Sequence, residues 1–110
     1  MKIAANVTFI THDIFHILFS GDVPYYIGCI EIGNNVVIGA NVTILPDVRI
    51  GNNVVIGAGA VVAKNLEDGG VYAGIPAKRI GTFDELLEKR KKRIYKDAAS
   101  AWNEFQKEKK

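Results

Sequence analysis

The sequence contains one cysteine, Cys29, and two histidines among its 110 residues. A single cysteine cannot form a disulfide within the chain, and it cannot build a zinc site from several cysteines. No run of about 18 apolar residues occurs, and the N-terminus lacks the basic and apolar regions of a secretory signal. The sequence therefore predicts no membrane span and a cytoplasmic location.

The charges are unevenly distributed along the chain, although the net charge is only +2. Residues 1–77 contain three basic and six acidic side chains, whereas residues 78–110 contain eleven basic and six acidic ones. The basic residues of the second part stand beside acidic ones and lack interleaved aromatic residues, a pattern typical of a solvated helix face. We therefore expect no nucleic-acid partner.

From Ile32 onward, one pattern recurs every six residues, in the units IGNNVV, IGANVT, ILPDVR, IGNNVV, IGAGAV and VAKNLE. A branched aliphatic residue opens each unit, and the fifth residue of each unit is also apolar. A helix would spread these positions around its surface, whereas a short strand holds both on one side. Each unit therefore predicts a short strand followed by a corner, for which the glycines at the second position and the paired asparagines are suitable.

Three strands and three corners make a triangular coil of about 18 residues, and stacked coils bury a common column of isoleucine and valine. A β-sandwich with regular turns is the alternative, but its strands recur at about 8 to 12 residues with loops of variable length. The constant spacing favours an all-β solenoid, which we expect to span residues 1–81.

The run "IGNNVVIGANVTILPDVRIGNNVVIGAGAVV", followed by "AGIPAKRI", resembles the hexapeptide-repeat acyltransferases. It resembles especially the xenobiotic, galactoside and maltose O-acetyltransferases and related polysaccharide O-acetyltransferases, over about residues 3–80. It implies a left-handed parallel β-helix and a homotrimer with active sites between subunits. It also implies acetyl-CoA as donor, a hydroxyl or amino group of a sugar or saccharide as acceptor, and no metal. Two positions depart from these relatives, which often carry tryptophan at Val37 and glycine at Asp47.

The repeat is interrupted near the N-terminus. Phe9 still follows the pattern, but Ile32 lies 23 positions after it, and this number is not a multiple of six. The intervening residues are rich in aromatic and turn-forming types, so the sequence predicts a projecting loop over about residues 14–30. In the hexapeptide-repeat acyltransferases, such a loop leans over the cleft between subunits, and the histidine before it is the catalytic base.

His12, in the sequence "THD", matches that histidine, and an imidazole can take a proton from an acceptor hydroxyl or amine at neutral pH. The alternative is that His12 is only a polar corner residue. Asp13 is expected to orient the imidazole or shape the acceptor site, or else to make a loop contact, and His16 to line the acceptor pocket or the loop. A zinc site like that of hexapeptide-repeat carbonic anhydrases needs three histidines, so it would require a ligand from a neighbouring subunit.

The resemblance also assigns a donor segment, residues 56–80. Its small residues would let the pantetheine arm lie against the coil, and its cations would meet the phosphates of coenzyme A. The alternative for the cations is a set of solvated surface charges. The residues expected to bind the donor are Ala58, Gly59, Ala60, Lys64, Lys78 and Arg79.

The period-six pattern ends at Thr82, which forms a capping-box pattern with Glu85. An apolar stripe then recurs at roughly heptad spacing, so we expect one amphipathic helix over residues 82–110, packed within the trimer. The rival to an enzyme is a non-catalytic trimeric assembly module. Because Met1 falls immediately before a repeat unit, a shortened and inactive family member also fits the sequence.

Overall fold

The computed structural model describes residues 1–18, 26–94 and 97–108, so residues 19–25 of the predicted loop lie outside the described residues. Within these ranges the chain forms ten short strands, one 3-10 turn at Phe15–Leu18 and two α-helices. The strands are β1 (Lys2–Ile3), β2 (Thr8–Phe9), β3 (Ile30–Ile32), β4 (Val36–Ile38), β5 (Thr43–Ile44), β6 (Val48–Ile50), β7 (Val54–Ile56), β8 (Val61–Val62), β9 (Gly70–Ala73) and β10 (Lys78–Thr82). The helices are α1 (Phe83–Lys91) and α2 (Ala98–Lys107).

The strands form the three faces of a parallel β-helix. One face runs in the order β1-β4-β7-β9-β10, the second in the order β2-β5-β8, and the third pairs β3 with β6. Strand β4 pairs in parallel with β7, and β3 pairs in parallel with β6. Aligned residues lie 18 positions apart in both pairs, for example Val36 with Val54 and Ile30 with Val48. This register confirms the predicted coil length. Only β10 runs antiparallel to its neighbour, β9, among the pairs of named strands in the described ranges.

The core is the column of aliphatic side chains that the repeat predicts. Ile32, which opens the first unit, is half-buried, and from Val36 to Leu66 the fifth and opening positions of the units are buried at 5% exposure or less. Burying one such side chain stabilises the fold by about 1.5–3 kcal/mol. These residues are Val36, Ile38, Val42, Ile44, Val48, Ile50, Val54, Ile56, Ala60, Val62 and Leu66.

The corners follow the prediction for the paired asparagines but not for the glycines at the second position. The left-handed backbone occurs at the fourth position of the first five units, where φ lies between 55° and 76° at Asn35, Asn41, Asp47, Asn53 and Gly59. The glycines at the second position do not have this backbone. At Gly33, Gly39 and Gly51 glycine is needed for another reason, because a Cβ would come within 2.8 Å of a backbone atom of the neighbouring coil.

The insertion lies in the first coil. Lys2 aligns with Val37 and Thr8 with Thr43, 35 positions apart instead of 18. The chain leaves the coil at His12 and returns at Ile27, which pairs with His12 in an isolated antiparallel bridge. The predicted end of the loop at residue 30 is therefore too late, because Ile30 already belongs to a coil strand.

The single C-terminal helix of the prediction is wrong. Thr82 caps α1 as expected, since its hydroxyl oxygen accepts the N–H of Glu85 at 3.1 Å. The helix ends at Lys91, inside a run of cations that suits a helix C-terminus. A second helix begins after Asp97, whose carboxylate accepts the N–H of Ser100 at 2.8 Å. No helix in the described ranges is long and apolar enough to cross a bilayer.

Candidate functional site

His12 lies where the loop leaves the coil. Its side chain is exposed, and its backbone is held by pairing with the returning segment. The N–H of Gly28 donates to the carbonyl of Thr11 at 2.6 Å. We call Thr11, His12, Ile27 and Gly28 the loop base. It presents the imidazole on the surface of the protein, where a substrate can reach it.

Asp13 and His16 both belong to the short segment that follows His12. A carboxylate oxygen of Asp13 accepts the N–H of Phe15 at 3.1 Å, so Asp13 organises the start of the 3-10 turn. This contact matches the loop-contact role that the sequence left open. His16 lies half-buried on the same turn. The structure thus brings His12, Asp13 and His16 to one end of one loop.

A contact that the sequence analysis did not predict lies on the other side of the loop base. Asp47 accepts a hydrogen bond from the hydroxyl of Tyr26 through one carboxylate oxygen and from the N–H of Cys29, at 3.2 Å, through the other. The hydrogen bond to Asp47 raises the pKa of Tyr26, and the bond from Tyr26 lowers the pKa of Asp47. The only sequence signal was that Asp47 stands where the resembling proteins often carry glycine.

A cleft of about 240 Å³ borders this contact. It is lined by side chains from the third face of the solenoid, where Glu31 of β3 lies opposite Arg49 of β6. The lining residues are Cys29, Glu31, Asp47, Val48, Arg49 and Asn65. Among the described residues, no group of three or more histidine, cysteine or acidic side chains is arranged to hold a metal ion.

The donor segment includes the corner after β7. Ala58 and Gly59 are exposed there, and a Cβ on Gly59 would meet no atom within 4 Å, so the surface is open at this point. Ala60 differs from the expectation. Its side chain is fully buried in the core and its carbonyl accepts the N–H of Thr43 at 3.0 Å, so Ala60 shapes the corner from inside.

The three expected donor-binding cations are exposed at the last coil. Lys78 and Arg79 begin β10, and the turn before them is joined to β8 because the N–H of Ala77 donates to the carbonyl of Val61 at 2.8 Å. Lys64 follows β8 closely in the chain. No ion pair within the described ranges involves any of the three. Their charges are therefore open to an anionic ligand.

The chain matches one family model and is similar to known proteins. Residues 29–64 match the model of the bacterial transferase hexapeptide, a family defined by six repeats. The chain is 41% identical over 91 residues to YvoF of Bacillus subtilis (strain 168), whose name describes an acetyltransferase. That match covers 82% of this chain and 49% of YvoF.

Two solved structures share the fold. A maltose O-acetyltransferase from Clostridium difficile 630 superposes with a TM-score of 0.66 at 37% identity, covering 73% of this chain and 43% of that one. A galactoside acetyltransferase solved with coenzyme A also superposes with a TM-score of 0.66, at 38% identity, covering 88% of this chain and 48% of that one. The solenoid is thus a left-handed β-helix. The chain spans about half the length of the proteins that it matches.

Proposed function

Because the chain belongs to the family of bacterial hexapeptide-repeat transferases, we propose that it transfers an acetyl group from acetyl-CoA to a sugar or saccharide. One observation carries the proposal: 38% identity, over 88% of this chain, to a galactoside acetyltransferase solved with coenzyme A. The maltose O-acetyltransferase among the relatives favours a hydroxyl acceptor over an amine.

His12 is the general base of this proposal. Its imidazole takes the proton of the acceptor hydroxyl while the oxygen attacks the thioester carbonyl carbon. The C–S bond then breaks, the acetyl group stays on the acceptor oxygen, and the imidazolium returns the proton to the departing thiolate. Backbone N–H groups near the thioester stabilise the oxyanion that forms between these steps. The exposed position of His12 at the loop base supports this role.

The donor lies along the donor segment in this proposal. Ala58 and Gly59 offer an open surface to the pantetheine arm, because no side chain projects from the corner at Gly59. Lys64, Lys78 and Arg79 meet the phosphates through charge-assisted hydrogen bonds. Ala60 is expected to act only through packing, since its side chain faces the core. Acceptor contacts are assigned to His16 and Asp13, the latter through the turn that it organises.

A homotrimer and a cytoplasmic location stay predictions from the sequence. The homotrimer matters for the mechanism, since the resemblance places each active site between two subunits. A non-catalytic assembly module is the alternative function. It would keep the coil and the association between chains without any turnover of acetyl-CoA, so an assay of acetyl transfer separates the two.

The test is an assay of coenzyme A thiol release from acetyl-CoA in the presence of maltose, a galactoside or glucosamine. We expect thiol release that depends on the acceptor, and mass spectrometry should find one acetyl group added to the acceptor. Treatment of the product with hydroxylamine distinguishes the two linkages, because it cleaves an ester and leaves an amide intact. Absence of turnover with every acceptor, in a protein that is folded, would favour the assembly module.

A further inference from the structure

Asp47 binds the returning segment of the loop through both oxygens of its carboxylate and through its backbone N–H. Its carboxylate accepts the Tyr26 hydroxyl and the Cys29 N–H, and its own N–H donates to the carbonyl of Cys29 at 2.8 Å. The segment also packs closely on this corner, since a Cβ on Gly28 would come within 2.4 Å of the Cβ of Pro46. The corner at residues 46–47 therefore fixes the position of residues 26–29.

The same segment also holds the backbone of Thr11 and His12 in place. The N–H of Gly28 donates to the carbonyl of Thr11, and Ile27 pairs with His12. Residues 26–29 therefore connect Asp47 with the backbone of His12. We propose that Asp47 is a positioning residue for His12: by binding Tyr26 and Cys29, it fixes the loop base and with it the direction in which the imidazole points. The proposal rests on the proposed function of His12 as the base.

The chemistry of the corner explains why an aspartate suits this task. Position 47 has a φ of 63°, a backbone that asparagine, aspartate and glycine adopt more readily than other residues. Asparagine occupies the equivalent corner at residue 53, but its amide has only one oxygen that can accept. A carboxylate accepts at two oxygens at once, as the contacts with Tyr26 and Cys29 require. An aspartate is ionised, and so accepts at both oxygens, at neutral pH, and the hydrogen bond from Tyr26 lowers its pKa further.

The test compares Asp47→Gly with a matched control, Asn53→Gly. Both variants place glycine at a corner with left-handed backbone, where glycine causes no strain. Both also remove a side chain that accepts a hydrogen bond from the residue 18 positions earlier, Cys29 for Asp47 and Asn35 for Asn53. Only Asp47 contacts the loop segment. A difference between the two variants therefore reports the contact with the loop and not the general cost of altering a corner.

Three measurements on the full chain distinguish the variants. In Asp47→Gly we expect amide hydrogen exchange at Gly28 and Cys29 to become about tenfold faster, because a hydrogen bond to a charged group is lost at the loop base. The ring resonances of His12 should shift in the NMR spectrum. The kcat for acetyl transfer should fall about tenfold while the KM for acetyl-CoA stays unchanged, since the donor segment is untouched. Asn53→Gly should change none of these, and Asp47→Asn should be intermediate because it keeps one accepting oxygen.

Two outcomes would overturn the proposal. One is that Asp47→Gly leaves exchange at Gly28 and Cys29 and the His12 ring resonances as in the wild type. The other is that exchange and resonances change but kcat does not. A wild-type protein without any turnover would instead contradict the proposed function of the chain. The ring resonances would then still decide whether Asp47 holds His12 in place.

Discussion

Gly39 lies so close to Ala58 of the next coil that a Cβ on Gly39 would come within 2.6 Å of the Ala58 nitrogen. The same relationship holds at Gly33, where a Cβ would come within 2.7 Å of the carbonyl oxygen of Gly51. Successive strands of a sheet lie about 4.8 Å apart, so a side chain at these corners has no room. Gly33 and Gly39 thus allow the coils to stack this closely.

We expect Gly39→Ala to lower the free energy of unfolding by roughly 1–3 kcal/mol, because the atoms it meets are backbone atoms that cannot rotate away. Gly81→Ala is the matched control, since a Cβ there would meet no atom within 4 Å. Its effect should stay within about 0.5 kcal/mol. Chemical denaturation followed by circular dichroism measures both values. Equal stability of the two variants would contradict this account of the coil spacing.

Changing Lys78 and Arg79 together to alanine should weaken acetyl-CoA binding, because both exposed cations are assigned to the phosphates. The Kd should rise about three- to tenfold at low salt and less at high salt, since salt screens charges on the surface. Isothermal titration calorimetry at two salt concentrations measures this change. The control changes Lys89 and Arg90, two exposed cations of α1, and should leave the Kd unchanged. If both double variants bind alike, the donor cations are surface charges only.

The helix α2 should lose helicity in acid because of its cap, Asp97. The hydrogen bond from the backbone N–H of Ser100 lowers the pKa of Asp97 below its ordinary value. A lowered pKa in the folded chain means that the cap stabilises the helix above the ordinary aspartate pKa, about 3.9. This stabilisation is lost as the pH falls through the lower, folded value. Circular dichroism between neutral pH and about pH 2 should show a transition that Asp97→Asn lacks. Identical acid transitions in the two proteins would contradict the role of the cap.

The chain should form a homotrimer in solution. Light scattering should give about three times the 12.0 kDa of one chain. The loop exposes Ile17 at 67% and Leu18 at 79% in one chain, and we expect a neighbouring subunit to cover them. Changing both to aspartate should therefore shift the protein toward the monomer. A monomeric wild type would contradict the placement of the active site between subunits.

The sequence predicted the solenoid in detail because the aliphatic residues that recur every six positions are also the residues that the fold buries. Ile38 and Ile44 open their repeat units, and both are fully buried. The alignment of Val36 with Val54 follows from the same period, because three units of six residues complete one coil. Patterns of this kind are local and repeated, so several units support each prediction about any one of them.

The features that the sequence did not predict, or predicted wrongly, depend on single contacts and not on the repeat. The hydrogen bond between Tyr26 and Asp47 joins residues 21 positions apart, one of them in the insertion, where no repeat constrains the chain. The apolar stripe after Thr82 continues across the break between α1 and α2, so its period alone could not reveal a second start at Asp97. The burial of Ala60 could have been predicted, because it occupies the apolar fifth position of its unit.

The most direct test of the central claim is the rate of acetyl transfer by His12→Asn, measured beside the wild type with the same acceptor. Asparagine keeps a polar side chain at the loop base but cannot take the acceptor proton at neutral pH. We predict that kcat falls by about 10²- to 10⁴-fold, while the fold and the affinity for acetyl-CoA are retained. A folded variant whose kcat stays within about tenfold of the wild type would contradict the assignment of His12 as the base.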